Sequence, residues 1–176
     1  MESFIQEWGY IALFLYSFGG GMLAIAIGGV FGSTGDLNIF YVILVATISN
    51  FLGDMFLFYI ARTNKIYAKE MMAKYKRKIA LSHLMMRKYG SWVIFIQKYL
   101  YGIKTLIPLA MGLTKYNFKQ FLVYNFFASI LWACIVGFSA YILGQLFLDL
   151  LKEYKYYGIA IILLLLGFIL YFFKKY

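Results

Sequence analysis

Apolar residues fall in five long blocks, at 8–31, 37–61, 92–113, 118–147 and 156–173. Each block approaches or exceeds the roughly 20 residues that a helix needs to cross the hydrocarbon core of a bilayer. Between the second and third lies a polar stretch, 62–90, with nine Lys or Arg residues and a single acid, Glu70. Within it Met72, Tyr75, Ile79 and Met86 recur near helical spacing, which predicts a basic amphipathic helix on the membrane surface. So basic a segment belongs on the cytoplasmic side.

Charge decides whether every block crosses. With 62–90 inside and five full crossings, Lys115, Lys119, Lys174 and Lys175 fall outside, while Glu2 and Glu7 fall inside. That reverses the positive-inside rule. If the first and third blocks instead enter and return on the same side, Glu2, Glu7 and Asp36 lie outside and all four lysines lie inside. The 149–155 loop, mixed in charge, is then outside. Breaks suited to such returns are present: Gly19-Gly20-Gly21 and Gly28-Gly29 in the first block, and Gly102 and Pro108, the only proline, in the third. A broken helix at membrane depth is tolerated where the freed backbone lines protein or water. Glycines that simply let helices pack closely are the plainer reading.

The expected fold is therefore an all-α polytopic membrane protein forming one membrane domain. A first repeat spans 8–61, the basic linker 62–90 and a second repeat 91–147, and a C-terminal transmembrane helix spans 156–173. Each repeat is a re-entrant hairpin followed by one transmembrane helix. Trp8-Gly9-Tyr10 in the first finds an echo in Tyr89-Gly90-Ser91-Trp92 in the second, and Asn38-Ile39-Phe40 in Asn117-Phe118-Lys119, at offsets of 81 and 79 residues. A unit with a single crossing must repeat upside down, which is the inverted-repeat plan of many transporters. The N-terminus is expected outside and the C-terminus in the cytoplasm. No basic residue precedes the first block, so no signal peptide is expected.

Composition narrows the function. Of 176 residues, 64% are hydrophobic, 14% charged and 22% aromatic, where a soluble domain would be about a quarter charged. One Cys and one His leave no disulfide framework, no metal site and no cofactor to expect. No nucleophile–base pair is visible, so an enzyme is not expected. The net charge of +10 fits cytoplasmic loops and anionic headgroups rather than nucleic acid.

Few charges lie within the apolar blocks. Lys98 and Lys104 sit in the third, where a charge at bilayer depth costs about 2.5–3.5 kcal/mol on insertion scales. Either they face a cavity and attract a phosphate headgroup, or they snorkel to the cytoplasmic surface. Asp54 is the one acid inside an expected crossing, and it either pairs with one of these lysines or carries a proton. Arg62 marks the cytoplasmic boundary or touches substrate. Asn125 and Trp132, seven apart, share a helical face, for packing or for substrate. Trp8 and Trp92 are expected to anchor the hairpin mouths at the interface.

The stretch 95–112, FIQKYLYGIKTLIPLAMG, resembles the hairpin motif of the DedA family, also called the SNARE-associated or VTT-domain family. Phe121, Asn125, Trp132, Tyr141 and Gly144 follow at the family spacing, as do Gly35-Asp36, Gly53-Asp54, Tyr59 and Arg62 in the first half. The resemblance implies substrate contacts at Lys98, Gly102, Lys104, Thr105, Pro108, Asn125 and Trp132, with Asp54 and Arg62 as a proton or ion-pair element and Gly19, Gly20 and Gly21 in the first hairpin. Two family arginines are replaced by Lys98 and Lys104, a family proline by Tyr101, and the first hairpin lacks the family's acids. The resemblance further implies a flippase-like transporter of an anionic phosphate lipid in the bacterial cytoplasmic (inner) membrane. A polyprenyl phosphate such as undecaprenyl phosphate is the implied cargo. The rival readings are a proton- or cation-coupled transporter, and a non-selective scramblase or membrane scaffold. Anionic lipids are the expected partners, with a homo-oligomer left open.

Overall fold

The computed structural model describes residues 2–19, 21–66, 70, 73, 75–100 and 102–153. Gly20, Met72 and the C-terminal block at 156–173, with Lys174 and Lys175, lie outside the described residues. Among the described residues every regular element is helical. In chain order these are α1 (Glu2–Phe18), α2 (Met22–Thr34), α3 (Ile39–Thr63), α4 (Lys76–Tyr89), α5 (Val93–Ile96), α6 (Leu106–Leu113) and α7 (Phe118–Glu153). Short 3₁₀ turns at Gly90–Trp92 and Gln97–Tyr99 flank α5.

The two long helices start alike. Asn38 caps α3 by accepting from the Phe40 amide at 2.9 Å, and Asn117 caps α7 by accepting from the Lys119 amide at 2.8 Å. Both carry apolar stretches long enough to cross a membrane, over Ile39–Thr63 and Phe118–Leu150. The sequence pattern ends the fourth block at residue 147, whereas α7 continues to Glu153. Nothing between 147 and 153 is a helix breaker, so polarity alone does not end the helix. At 1.5 Å per residue its 36 residues extend about 54 Å, well beyond a hydrocarbon core of about 30 Å.

Helices α3 and α7 run antiparallel. Phe58 stacks on Phe121 with centroids 4.4 Å apart, the Asn125 amide reaches the Phe51 carbonyl at 3.1 Å, and Phe40 meets Phe138 at the other end. The shorter helices fold back in pairs against them. α1 runs parallel to α3: the Tyr10 hydroxyl meets the Asn38 amide at 2.8 Å, Ser49 donates to the Phe14 carbonyl, and Phe18 closes on Gly53. The chain then reverses after Phe18, and α2 returns beside α7. Gly29 packs on Gly137 and Ala140, and Ser33 on Gly144.

The second pair follows the same rule with the long helices exchanged. The arm 90–99 runs parallel to α7, through a Ser91–Tyr116 hydroxyl contact at 2.6 Å, a Phe95–Tyr124 ring contact and Lys98 on Asn125 and Ser129. The chain then reverses before Leu106, and α6 returns beside α3, with Gly112 against Phe58 and Ala61. Pro108 does not make this turn. It is the third residue of α6, where the first helical turn tolerates a missing N–H. The reversal falls instead at Gly102, whose φ of +79° few L side chains adopt.

Three apolar clusters result, the smallest being Ala61, Leu106, Leu109 and Ala110 where α6 meets α3. Leu13, Ile25, Val42, Ala46 and Trp132 gather under the first pair, and Phe58, Val93, Ile94, Ile107, Met111 and Phe121 under the second. The outer faces of α3 and α7 remain apolar, with Ile48, Phe56, Leu131 and Ile135 exposed, as a hydrocarbon-facing surface requires. Trp8 and Trp92, at the open ends of the two pairs, are both exposed. The basic linker does form a helix, α4, but one face of it is committed to protein. Ser82 is buried and Ile79, Met85 and Met86 pack on the second pair.

Candidate functional site

The turns of both pairs end beside the middle of α3 and α7, and the buried polar side chains collect there. Lys98, the last buried residue before the second turn, sends its ammonium into four oxygens. These are Asn50 Oδ1 at 2.5 Å and, each at 2.8 Å, Asp54 Oδ2, Asn125 Oδ1 and Ser129 Oγ. An ammonium has three protons, so the cage is full. The Lys98 and Asp54 side chains are 0% and 4% exposed. The lysine that the sequence left between cavity and surface is thus drawn inward, and Asp54 is its partner.

Helical spacing builds this cage. Asn50 and Asp54 are one turn apart on α3, and Asn125 and Ser129 are one turn apart on α7, so each helix presents two oxygens on one face. Ser129 Oγ donates to the Asn125 carbonyl at 2.8 Å, which leaves its lone pairs toward Lys98.

Lys104 is in the opposite situation. It is 7% exposed, its Nζ has no hydrogen-bond acceptor among the described residues, and it faces the Trp132 ring at 4.4 Å from the centroid. Trp132 Nε1 and Asn50 Nδ2 are likewise buried donors with no partner. Gln97 Oε1 and Ser17 Oγ, the latter at the first turn, are also unpaired. A buried polar group without a partner costs about 1–3 kcal/mol, more if charged. Lys104 Nζ, Trp132 Nε1 and Asn50 Nδ2 are thus three buried donors without a hydrogen-bond partner among the described residues.

The other expected site residues divide. Gly102 and Thr105 are exposed on the second turn, and Pro108 is buried in α6. Trp132 is fully buried under Lys104. Gly19 and Gly21 form the first turn, and a Cβ at Gly21 would lie 2.7 Å from the Tyr16 carbonyl oxygen. Arg62 stands apart from Asp54. It donates to the carbonyls of Gly112, Thr114 and Tyr116 at 2.9, 3.1 and 2.8 Å, with its guanidinium over the Phe58 ring. This fastens the end of α6 to the end of α3. Asn50, Ser129 and Gln97 were not singled out from the sequence. One signal does point to the first two, which are 79 residues apart, the same offset that relates Asn38 to Asn117.

The VTT domain family matches residues 18–142. "Undecaprenyl phosphate transporter A" of Staphylococcus aureus is 23% identical over 167 residues, covering 85% of this chain and 79% of that protein. "Inner membrane protein YohD" of Escherichia coli is 24% identical, covering 82% and 76%. "Undecaprenyl phosphate transporter A" of Bacillus subtilis is 24% identical, covering 70% and 64%. No solved structure matches the chain at a comparable significance.

Proposed function

Because this chain belongs to the VTT-domain (DedA) family of membrane proteins, we propose that it transports an anionic phosphate-headgroup lipid, of the polyprenyl phosphate class, across a bacterial cytoplasmic membrane. The observation that carries this reading is the buried, acceptor-free ammonium of Lys104 beside Trp132 at the second turn. Lys98 cannot serve in the same way without giving up an oxygen of its cage. Lys104 is therefore the headgroup contact, and Lys98 with Asp54 is the post that holds the turn between α3 and α7.

Both pairs are read here as re-entrant hairpins. Phe18 meets α3 at Gly53, ten residues before the end of that helix, so the first turn stops about 15 Å short of the far side. Lys104 meets α7 at Trp132, about 21 Å in from its start and far from its end. Each first arm lies along its own long helix and each return arm along the other, as an inverted repeat requires. Two turns entering from opposite faces and ending at one depth suit a headgroup crossing between them while its tails remain in lipid. A coupled-ion reading has less to stand on, since the one buried acid among the described residues is already paired.

The test is lipid movement in proteoliposomes, comparing a polyprenyl phosphate with a zwitterionic phospholipid. Selective movement of the phosphate lipid, lost in Lys104→Ala, is the expected result. Equal movement of both lipids points to a scramblase. Full activity in folded Lys104→Ala overturns the site.

A further inference from the structure

Lys78 lies on α4, in the linker, and nothing in the motif around the second turn includes it. Its ammonium nevertheless sits at that turn, 3.0 Å from the position a Cβ on Gly102 would take. The chain geometry accounts for this. From Gly90 the arm 90–99 runs up to the turn, and α4 runs down to Gly90 alongside it, fixed by Ile79, Ser82, Met85 and Met86. The start of α4 therefore comes back to the depth of the turn.

Lys78 and Gly102 are both exposed, and among the described residues no acceptor meets the Lys78 ammonium. Its neighbour is the Tyr75 ring, 5.7 Å away. Two residues past Gly102, Lys104 is buried with no acceptor either. One turn thus carries a free ammonium on its outer side and another on its inner side. The turn residue that Lys78 meets is a glycine, with no side chain of its own to cover the ammonium. An exposed lysine at hairpin-turn depth is costly unless water or an anion attends it. The other ring-stacked lysine of α4, Lys88 over Tyr89, is at the opposite end of the helix and away from the turn.

We infer that Lys78 and the Gly102 turn form an outer docking point for the phosphate headgroup, which meets Lys78 before it reaches Lys104. This rests on the transport reading above and adds a residue and an order of contact to it. The ligand class is a phosphate monoester or diester, whether carried on a lipid or free in solution.

The experiment is initial-rate transport of a polyprenyl phosphate in proteoliposomes against lipid density, for wild type, Lys78→Ala, Lys78→Arg, Lys88→Ala and Lys104→Ala. Lys78→Ala should raise the half-saturating density about fivefold, the effect of one lysine beside an anionic headgroup, with the maximal rate little changed. Lys78→Arg should restore the wild-type value, and Lys88→Ala should match wild type. A purely structural role for Lys78 would instead lower the folded yield and the maximal rate together. Excess inorganic phosphate in the buffer separates the two sources. Competition in wild type that Lys78→Ala abolishes means the phosphate group itself is recognised, and an Lys78 effect without competition means the lipid-borne headgroup is required. Unchanged half-saturation in Lys78→Ala, or an equal shift in Lys88→Ala, overturns the inference. If Lys104→Ala is inactive while Lys78→Ala behaves as wild type, only this inference fails. If neither lipid moves in the folded wild-type protein, the transport reading itself fails, and full activity of Lys104→Ala removes only the inner contact at Lys104.

Discussion

Two lysines six residues apart occupy opposite electrostatic states, and that contrast organises the centre of the molecule. Lys98 is paired with Asp54 and hydrogen-bonded on every proton, while Lys104 has an aromatic face and, among the described residues, no hydrogen-bond acceptor. Breaking a buried ion pair costs about 3–5 kcal/mol because one charge is left stranded, whereas replacing both members by apolar groups can be neutral. Asp54→Asn should therefore lower the unfolding midpoint in detergent sharply, and Asp54→Leu with Lys98→Met should recover most of it. If Asp54→Asn unfolds like wild type, the pair does not support the fold. Lys104→Gln, which removes a buried charge that no acceptor meets among the described residues, should leave the midpoint unchanged or raised while transport is lost. The types of these residues were readable from the chain, since charges within apolar blocks are conspicuous. Their states were not, because the cage depends on Asn50 and Ser129, two ordinary polar residues on helices that meet only in three dimensions.

At the scale of elements, both folded-back pairs use close backbone contact, at Gly53 and Gly29 in the first and at Gly112 in the second, and the second adds a side-chain clamp. The first is seated by close backbone contact. A Cβ at Gly53 would lie 2.1 Å from the Phe18 carbonyl oxygen, and one at Gly29 would lie 2.6 Å from the Gly137 carbonyl oxygen. Such overpacking costs about 1–3 kcal/mol when it can be absorbed by a backbone shift. Gly53→Ala should accordingly displace the first turn and lower the unfolding midpoint, an expectation sunk by a wild-type melting curve. The second pair is fastened by Arg62, whose planar fork reaches three carbonyls. A lysine offers a point charge without that fork, and charge-assisted hydrogen bonds contribute about 1.5–3 kcal/mol each. Arg62→Lys should keep the charge at the boundary yet loosen α6, seen as faster amide exchange at 106–114. Unchanged exchange there would mean that the clamp is incidental. The sequence pointed to Arg62 through its position at the end of an apolar block, and the structure keeps it at that end. Its carbonyl partners had no signature, because backbone oxygens at 112–116 carry no residue identity. Pro108 illustrates the reverse. Its identity drew attention to a break, but a proline at the third position of a helix fits without one, and the turn belongs to Gly102.

At the scale of the whole molecule, the proposed topology, with two re-entrant turns entering from opposite faces, can be tested by labelling. Charge requires Glu2, Glu7 and Asp36 on one side and the linker with Lys115 and Lys119 on the other. Packing makes each turn stop near the middle of a long helix instead of passing it. Under this plan the connection after α2 faces outward and the connection after α6 faces the cytoplasm. Ser33 and Thr114 mark those connections but are poor labelling sites. Ser33 is wedged against Gly144, and the Thr114 hydroxyl bonds the Met111 carbonyl at 2.7 Å. Their exposed neighbours Thr34 and Lys115 are better. In a Cys134→Ser background, Thr34→Cys should react with an impermeant maleimide applied outside intact cells, and Lys115→Cys should react only after the membrane is opened. Reaction of both from outside would mean five full crossings. It would also carry the third block across the bilayer and remove the opposed turns through which a headgroup is proposed to pass. The labelling pattern thus bears on mechanism as well as topology, since transport between opposed hairpins requires the two connections on opposite faces.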